Sequence, residues 1–229
     1  MKINALLIIL FLCTSNLANS TDFPGNWWKY VPRDQARSWE ILPQDAKDGE
    51  VILSKRTELG IFSNLSYSIF IFQNIKYSSI EGLWQSMKYP DRSDLSDPRH
   101  RIISWEYTRS EVRELFGWDS KKAGDMANTI MKKNNIKWVS HNQERFDYKD
   151  LKNGSIKHYE IIYGAIREKI FQNQSIKNLL LQTKCLKLMP DHRIEELSPP
   201  SYKYHEILMK IRSILQKEDN QNCLRKNYK

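Results

Sequence analysis

The spacing of apolar positions changes along the chain: short apolar or β-rich runs come first, and helical spacing dominates later. Val51-Ile52-Leu53 reads as a short strand. Tyr67 to Phe72 is dense in β-formers, and Gln73-Asn74 can turn it into Ile75-Lys76-Tyr77, which predicts a hairpin. Ile80, Leu83 and Met87 then fall on one side of a helix, with Glu81, Trp84, Gln85 and Lys88 on the other. Ser78 or Ser79 caps its start, and Tyr89-Pro90 ends it. Asp91 to Arg101 is polar and reads as a loop. Thr108-x-x-Glu111 has the form of a capping box for a helix to Phe116, closed by Gly117. Asp119 would cap the next helix, which runs to about Lys133. Residues 134–155 are mostly polar and read as an insertion rather than core.

Three more helices follow. One spans about Lys157 to Gln172 and buries Ile161, Ile162, Ala165, Ile166 and Ile170. Another spans Ser175 to Thr183 with Leu179, Leu180 and Leu181. The clearest amphipathic pattern is Tyr204, Leu208, Ile211 and Leu215, with Ile207 and Ile214 beside them. Strands early and helices late predict a single α+β domain, mainly helical, with a small hairpin or sheet.

The ends read differently. Lys2, the apolar run Ala5 to Leu12 and the small residues Ala18-Asn19-Ser20 have the form of a secretory signal peptide over residues 1–20, too short in its apolar part to span a bilayer. Bulky Leu12 before Cys13 argues against lipoprotein processing. The expected location is therefore exported, periplasmic or secreted. Residues 21–59 form an aromatic-rich arm and first strand, in which Pro24, Pro32 and Pro43 preclude a long helix. Phe23, Trp27, Trp28, Tyr30 and Trp39 either cover apolar surface or form a lip beside a ligand site. The body spans residues 60–216, and 217–229 is a basic tail.

Charge narrows the partners without naming one. The chain carries +9, of which Lys2 in the leader contributes one, and that balance favours phosphates, nucleic acid or acidic membrane surfaces. No stretch after the leader is long enough for a transmembrane helix, so an integral membrane role is not expected. Cys185 and Cys223 could pair after export, or Cys185 could be buried with a free thiol on the tail. No C-x-x-C, H-E-x-x-H, Gly-rich phosphate loop or G-x-S-x-G occurs, so neither metal nor cofactor is expected. His141, His158, His192 and His205 lack ligand spacing and read as surface residues.

The Ile80–Lys88 stretch holds the candidate chemistry. A carboxylate, indole, amide and amine opposite an apolar stripe would ordinarily be a solvated face. Trp84 is the residue that fits this least well.

Phe62-Ser63-Asn64-Leu65, Tyr77-Ser78-Ser79-Ile80-Glu81, Trp84-Gln85 and Lys88 together resemble the NADAR (YbiA-like) signature, F-S-N-F followed by a hairpin and Y-x-[ST]-[VS]-E-H-x-[FY]-Q-x-x-K. Ala165 to Asn173 is similar to that family's A-L-x-x-K-F-x-Q-N helix. Leu179 to Thr183 with Lys187-Leu188, and Ile207 to Leu215, resemble its later blocks in the same order. The resemblance implies an N-glycosidase acting on a ribosyl phosphate or ADP-ribose-linked substrate. It implies Glu81 and Lys88 as the catalytic pair, with Lys88 able to hold the opened sugar as a Schiff base. It also implies that Phe62, Ser63, Asn64, Trp84 and Gln85 meet the substrate: Trp84 by stacking, Asn64 and Gln85 by hydrogen bonding.

The chain departs from this pattern at three places. Gly82 stands for a histidine, Lys152-Asn153-Gly154 lacks a tryptophan, and Glu195 to Tyr202 replaces a glycine-rich segment. Counted without gaps from Thr183, Glu195 falls where the family has an aspartate, making it a third acidic candidate. The alternatives are an exported nucleotide- or nucleic-acid-binding effector that keeps the fold without catalysis, and a purely structural exported protein.

Overall fold

The computed structural model describes residues 23–218; the leader and all but the first two residues of the basic tail lie outside that range. The architecture is α+β and mainly helical, with three separate two-stranded sheets. Strand β1 (Glu50–Ile52) runs parallel to β6 (Lys187–Met189), with Val51 opposite Leu188. This pairing draws the N-terminal arm into the domain. Three short 3-10 turns carry the arm, and Trp27 is fully buried with its indole N–H donating to Glu58 at 2.6 Å.

The predicted hairpin is β2 (Phe70–Phe72) with β3 (Ile75–Tyr77). Gln73 and Asn74 both have positive φ, 50° and 64°, matching the twist that a two-residue hairpin requires. A second hairpin, β4 (Val139–His141) with β5 (Glu144–Phe146), lies inside the stretch read as an insertion. That reading is corrected: Val139 is fully buried and Phe146 belongs to the core, although both stand in a polar context. The two hairpin tips are joined, because the Gln73 side-chain oxygen Oε1 accepts from the Asn142 side-chain amide at 2.8 Å and meets His141 Nε2 at 2.6 Å.

Helix α1 (Ile80–Ser86) starts at Ser79, whose hydroxyl accepts from the Gly82 N–H at 2.8 Å. Helix α2 (Arg109–Glu114) has the expected Thr108–Glu111 capping box. Gly117 does not close it. With φ of 60°, Gly117 opens α3 (Gly117–Lys133), and Asp119 sits in the first turn of α3 rather than capping it. Polar residues 91–101 also depart from a plain loop: they include a 3-10 turn, Pro98–Arg101, with Arg99 fully buried.

Helices α4 (Gly154–Gln172), α5 (Gln174–Gln182) and α6 (Tyr204–Glu218) pack together, with α4 on β2 and α6 on β6. Their stripes bury Ile161, Ile162, Ala165, Ile166 and Ile170 in α4, Leu180 in α5, and Tyr204, Leu208, Ile211 and Leu215 in α6. Leu179 and Leu181 are only partly buried, and Ile214 is exposed. Cys185 is disulfide-bonded, and Cys223 lies outside the described residues. No helix among the described residues is long and apolar enough to cross a membrane.

Candidate active site

Helix α1 docks by Ile80, Leu83 and Met87, each at most 1 % exposed. Its opposite face is not solvated. Gln85 and Lys88 are buried, Glu81 and Trp84 are half-buried, and all four line one cavity of about 970 Å³. Close packing explains Gly82. A Cβ there would lie 2.6 Å from the Leu115 carbonyl oxygen and 2.9 Å from that of Val112, so nothing larger fits between α1 and α2. A Cβ on Gly124 of α3 would likewise run into the Gln85 side chain at 2.0 Å.

The C-terminal end of α1, which carries Lys88, is held by two buried guanidinium groups. Arg99 donates to the carbonyls of Met87 at 3.0 Å and Lys88 at 2.9 Å, and is ion-paired with Asp97 at 2.7 Å. Arg109 donates to the Tyr89 carbonyl at 2.7 Å and pairs with Asp91 at 3.0 Å. Both reach the Ser140 hydroxyl on β4. Helix-end carbonyls lack intrahelical partners, and charged donors satisfy them strongly.

The entry to α1 is fixed from the other side. The Asn64 carbonyl accepts from the Glu81 N–H at 2.9 Å. Lys169 of α4 reaches under this loop and donates to Ile61 O at 2.7 Å, Ser63 O at 3.1 Å and Ser66 Oγ at 2.8 Å. Ser63 and Asn64 line the cavity, whereas Phe62, 3 % exposed, is a core residue and is not on its wall. The expected contact of Phe62 with substrate is corrected accordingly.

Two functional groups on α1 are electrostatically displaced in opposite directions. Burial pushes the Glu81 carboxyl above its usual range, opposed by the Gln85 amide at 2.6 Å and by the Lys88 charge. Burial pushes the Lys88 amine down to about 8, opposed by Glu81. The Lys88 amine makes no hydrogen bond or ion pair among the described residues, although its backbone does. Its neighbour is the Trp84 ring, 5.1 Å from Nζ. Asn64 Oδ1 and Gln85 Oε1, on two residues that line the cavity, are buried without a hydrogen-bond partner among the described residues, which is costly unless something else satisfies them.

Aromatic rings complete the floor. Trp84 lies 4.1 Å from the His158 ring and 4.9 Å from the Tyr148 ring between centroids. His158 and His141 are buried, not surface residues. Burial and then the Lys88 charge push His158 down to about 3, so it is neutral, with Nδ1 meeting Ser201 Oγ at 2.9 Å.

Glu195 is exposed and also lines the cavity. Asp191 was not singled out by the sequence, and His192 was read there only as a surface residue. Asp191 is 1 % exposed and accepts from Lys55 and, at 2.9 Å, from His192 Nδ1. His192 and Lys55 both line the cavity. The only sequence signal was local, an acid next to a histidine after an apolar strand, and that pattern is common on surfaces. Among the described residues no group of three His, Cys, Asp or Glu side chains could hold a metal ion.

The fold and site therefore define an α+β domain with a buried carboxyl–amine pair at the floor of an aromatic cavity. No protein-family model matches the chain, and no curated protein does. Among solved structures, the NMR structure of the E. coli protein YbiA is similar at a TM-score of 0.49 and 18 % identity, over 81 % of this chain and 94 % of that one. A likeness at that level carries nothing about chemistry.

Proposed function

We propose that the protein is an N-glycosidase that hydrolyses the C1–N bond of a ribosyl phosphate or ADP-ribose-linked substrate. The observation that supports this most is the pair on α1: a carboxyl whose acid form is favoured by burial and an amine whose free base is favoured by burial, in one cavity. The Glu81 acid protonates the departing nitrogen while the Lys88 amine bonds to C1 and the C1–N bond breaks. Loss of the amine proton and opening of the sugar ring onto a protonated ring oxygen leave an imine on Lys88. Water then adds to C1, releasing the open-chain sugar and regenerating the amine. Trp84 supplies a stacking face, and Asn64 and Gln85 supply acceptors for ribose hydroxyls. We also assign this activity to an exported protein, on the leader-like form of residues 1–20.

The test is product release from NAD, ADP-ribosylated DNA and protein, and ribosylaminopyrimidine phosphates, with borohydride present to reduce any imine. Turnover lost in Lys88→Ala and Glu81→Gln, with a wild-type adduct mapped to Lys88, is the expected result. Ligand binding without cleavage of any substrate in the panel would overturn the glycosidase and leave a nucleotide-binding effector.

A further inference from the structure

Six exposed apolar side chains connect into one belt. From Tyr67 to Phe72 burial alternates residue by residue: Ser68, Phe70 and Phe72 are buried, while Tyr67, Ile69 and Ile71 are exposed. Side chains two apart in an extended chain share a face, so these three form an outward row on the first hairpin. The Tyr67 ring meets Phe116 edge to face at 4.9 Å. Gly117 alone separates Phe116 from Trp118, whose ring meets Trp39 of the arm edge to face at 6.4 Å. All six are between 41 % and 57 % exposed. Single apolar residues are ordinary on a surface, whereas a connected set of this size marks a place of contact.

The kind of partner follows from hydrogen bonding and charge. The outer edge of β2 is already closed by side-chain amides of α4: Gln172 exchanges two hydrogen bonds of 2.7 Å with the Ile71 backbone, and Asn173 donates to Ile69 O at 3.1 Å. An added strand would find those groups taken. Residues 65–79 contain one charged residue, Lys76, exposed and directly opposite Ile71 in the ladder. At the other end of the belt Arg37 is exposed without an ion pair among the described residues, while nearby Glu40 is taken by Arg56 at 2.6 Å. In the middle Arg113 and Lys122 offset Glu114 and Asp119. The belt is therefore net positive on a chain of +9, which suits an anionic surface and sets like charge on like charge if a second copy covers it.

We propose that this belt is a peripheral docking surface for an anionic lipid bilayer. The two indoles, the Tyr67 and Phe116 rings and the two isoleucines enter the headgroup region, and Lys76 and Arg37 meet lipid phosphates. Tryptophan and tyrosine suit that boundary because each is an apolar ring with one polar atom. Apolar area together with attraction to anionic lipid sets the strength of such binding. Trp39 and Trp118 also line the cavity, so docking brings its opening to the lipid surface. Docking of this kind requires no cleavage in the cavity and stands apart from the glycosidase reading.

The test is co-sedimentation of the full chain with vesicles of phosphatidylcholine alone or with one third phosphatidylglycerol. Wild type should bind the phosphatidylglycerol vesicles about tenfold more strongly or better, and less as salt is raised. Ile69→Ser/Ile71→Ser should weaken that binding about tenfold without loss of stability to urea, since both side chains point outward. Lys76→Glu should weaken it about fivefold or more, which covers the case of a double variant that does not fold. The leader-like residues 1–20 contain no tryptophan, so brominated lipid reports contact made by the domain itself. It should quench wild-type tryptophan fluorescence, and quench Trp39→Phe/Trp118→Phe much less while that variant still binds. No binding to phosphatidylglycerol vesicles, binding that the variants leave unchanged, or binding without quenching would overturn the proposal. So would wild-type dimers in sedimentation equilibrium that Ile69→Ser/Ile71→Ser makes monomeric, because a second copy would then cover the belt.

Discussion

Among the described residues two lysines are buried, and their surroundings are opposite. Lys169 is 1 % exposed, and its amine meets three oxygens, those of Ile61, Ser63 and Ser66. Lys88 is 3 % exposed and meets none, having only the Trp84 ring beside it and the cavity in front. Burial lowers both, Lys169 to about 7 and Lys88 to about 8. A depressed pKa therefore does not tell the two apart. Three acceptors match the three N–H bonds of an ammonium, while a neutral amine would turn its lone pair on an oxygen, so Lys169 stays charged and structural. The Lys88 amine has no such oxygens, so the lone pair it gains on losing its proton faces the cavity. In the proposed function the lysine that reacts is the one without polar partners.

The strongest test of that distinction is to remove each amine. Lys88→Ala should cut single-turnover cleavage by about 10³-fold or more and abolish the borohydride adduct, without loss of stability to urea. Lys88→Arg should fail equally, since a guanidinium keeps its proton. Lys169→Met should do the reverse: stability falls by about 2–4 kcal/mol because three oxygens lose their donor. Its turnover should drop by only about 10²-fold, through displacement of the Asn64 loop. An unfolded Lys88→Ala, or a stable Lys169→Met with normal turnover, would break the comparison.

Much of this contrast was legible in the sequence, but unevenly. The α1 face, the Phe70–Tyr77 hairpin and α6 follow from local periodicity, which a single sequence displays. Glu81, Trp84, Gln85 and Lys88 come together because they share that one helix face. Strand β6 was missed because its partner β1 lies far away in the chain, and three residues carry no period of their own. The β4–β5 hairpin was hidden by its polar neighbours, although Asn142 and Gln143 both take positive φ at its tip. Gly117 looked like a terminator because glycine with positive φ serves helix ends and beginnings alike. His158 looked like surface because its burial depends on Trp84 and Tyr148, from two other parts of the chain.

His158 offers a smaller test of the same floor. Its folded value of about 3 lies below the ordinary 6.5, so under pH 6.5 the unfolded chain takes up a proton that the folded chain refuses. Stability therefore falls as pH drops from about 6.5 toward 3, by about 2 kcal/mol between pH 7 and pH 5 from this residue alone. Urea denaturation at the two pH values should show that part of the loss absent in His158→Gln. An identical pH dependence in wild type and variant would mean that His158 is protonated in place, and that the floor tolerates charge as well as the Lys169 pocket does.

The smallest expected effect is in the pH profile of cleavage, where the two displaced groups on α1 oppose each other. The attacking amine must be neutral, so its contribution to the rate rises as pH climbs toward about 8 and is complete above it. The Glu81 acid must be protonated, so its contribution fades as pH rises through its elevated value, giving a bell. In Glu81→Gln the alkaline limb should vanish, leaving a slower reaction that rises to a plateau. Loss of Glu81 charge also removes the attraction that holds the Lys88 proton, so the midpoint of that rise should move down. A rise that keeps its midpoint in Glu81→Gln would mean that the two groups do not feel each other. Lys88 would then owe its reactivity to isolation alone, which is the contrast with Lys169 in its simplest form.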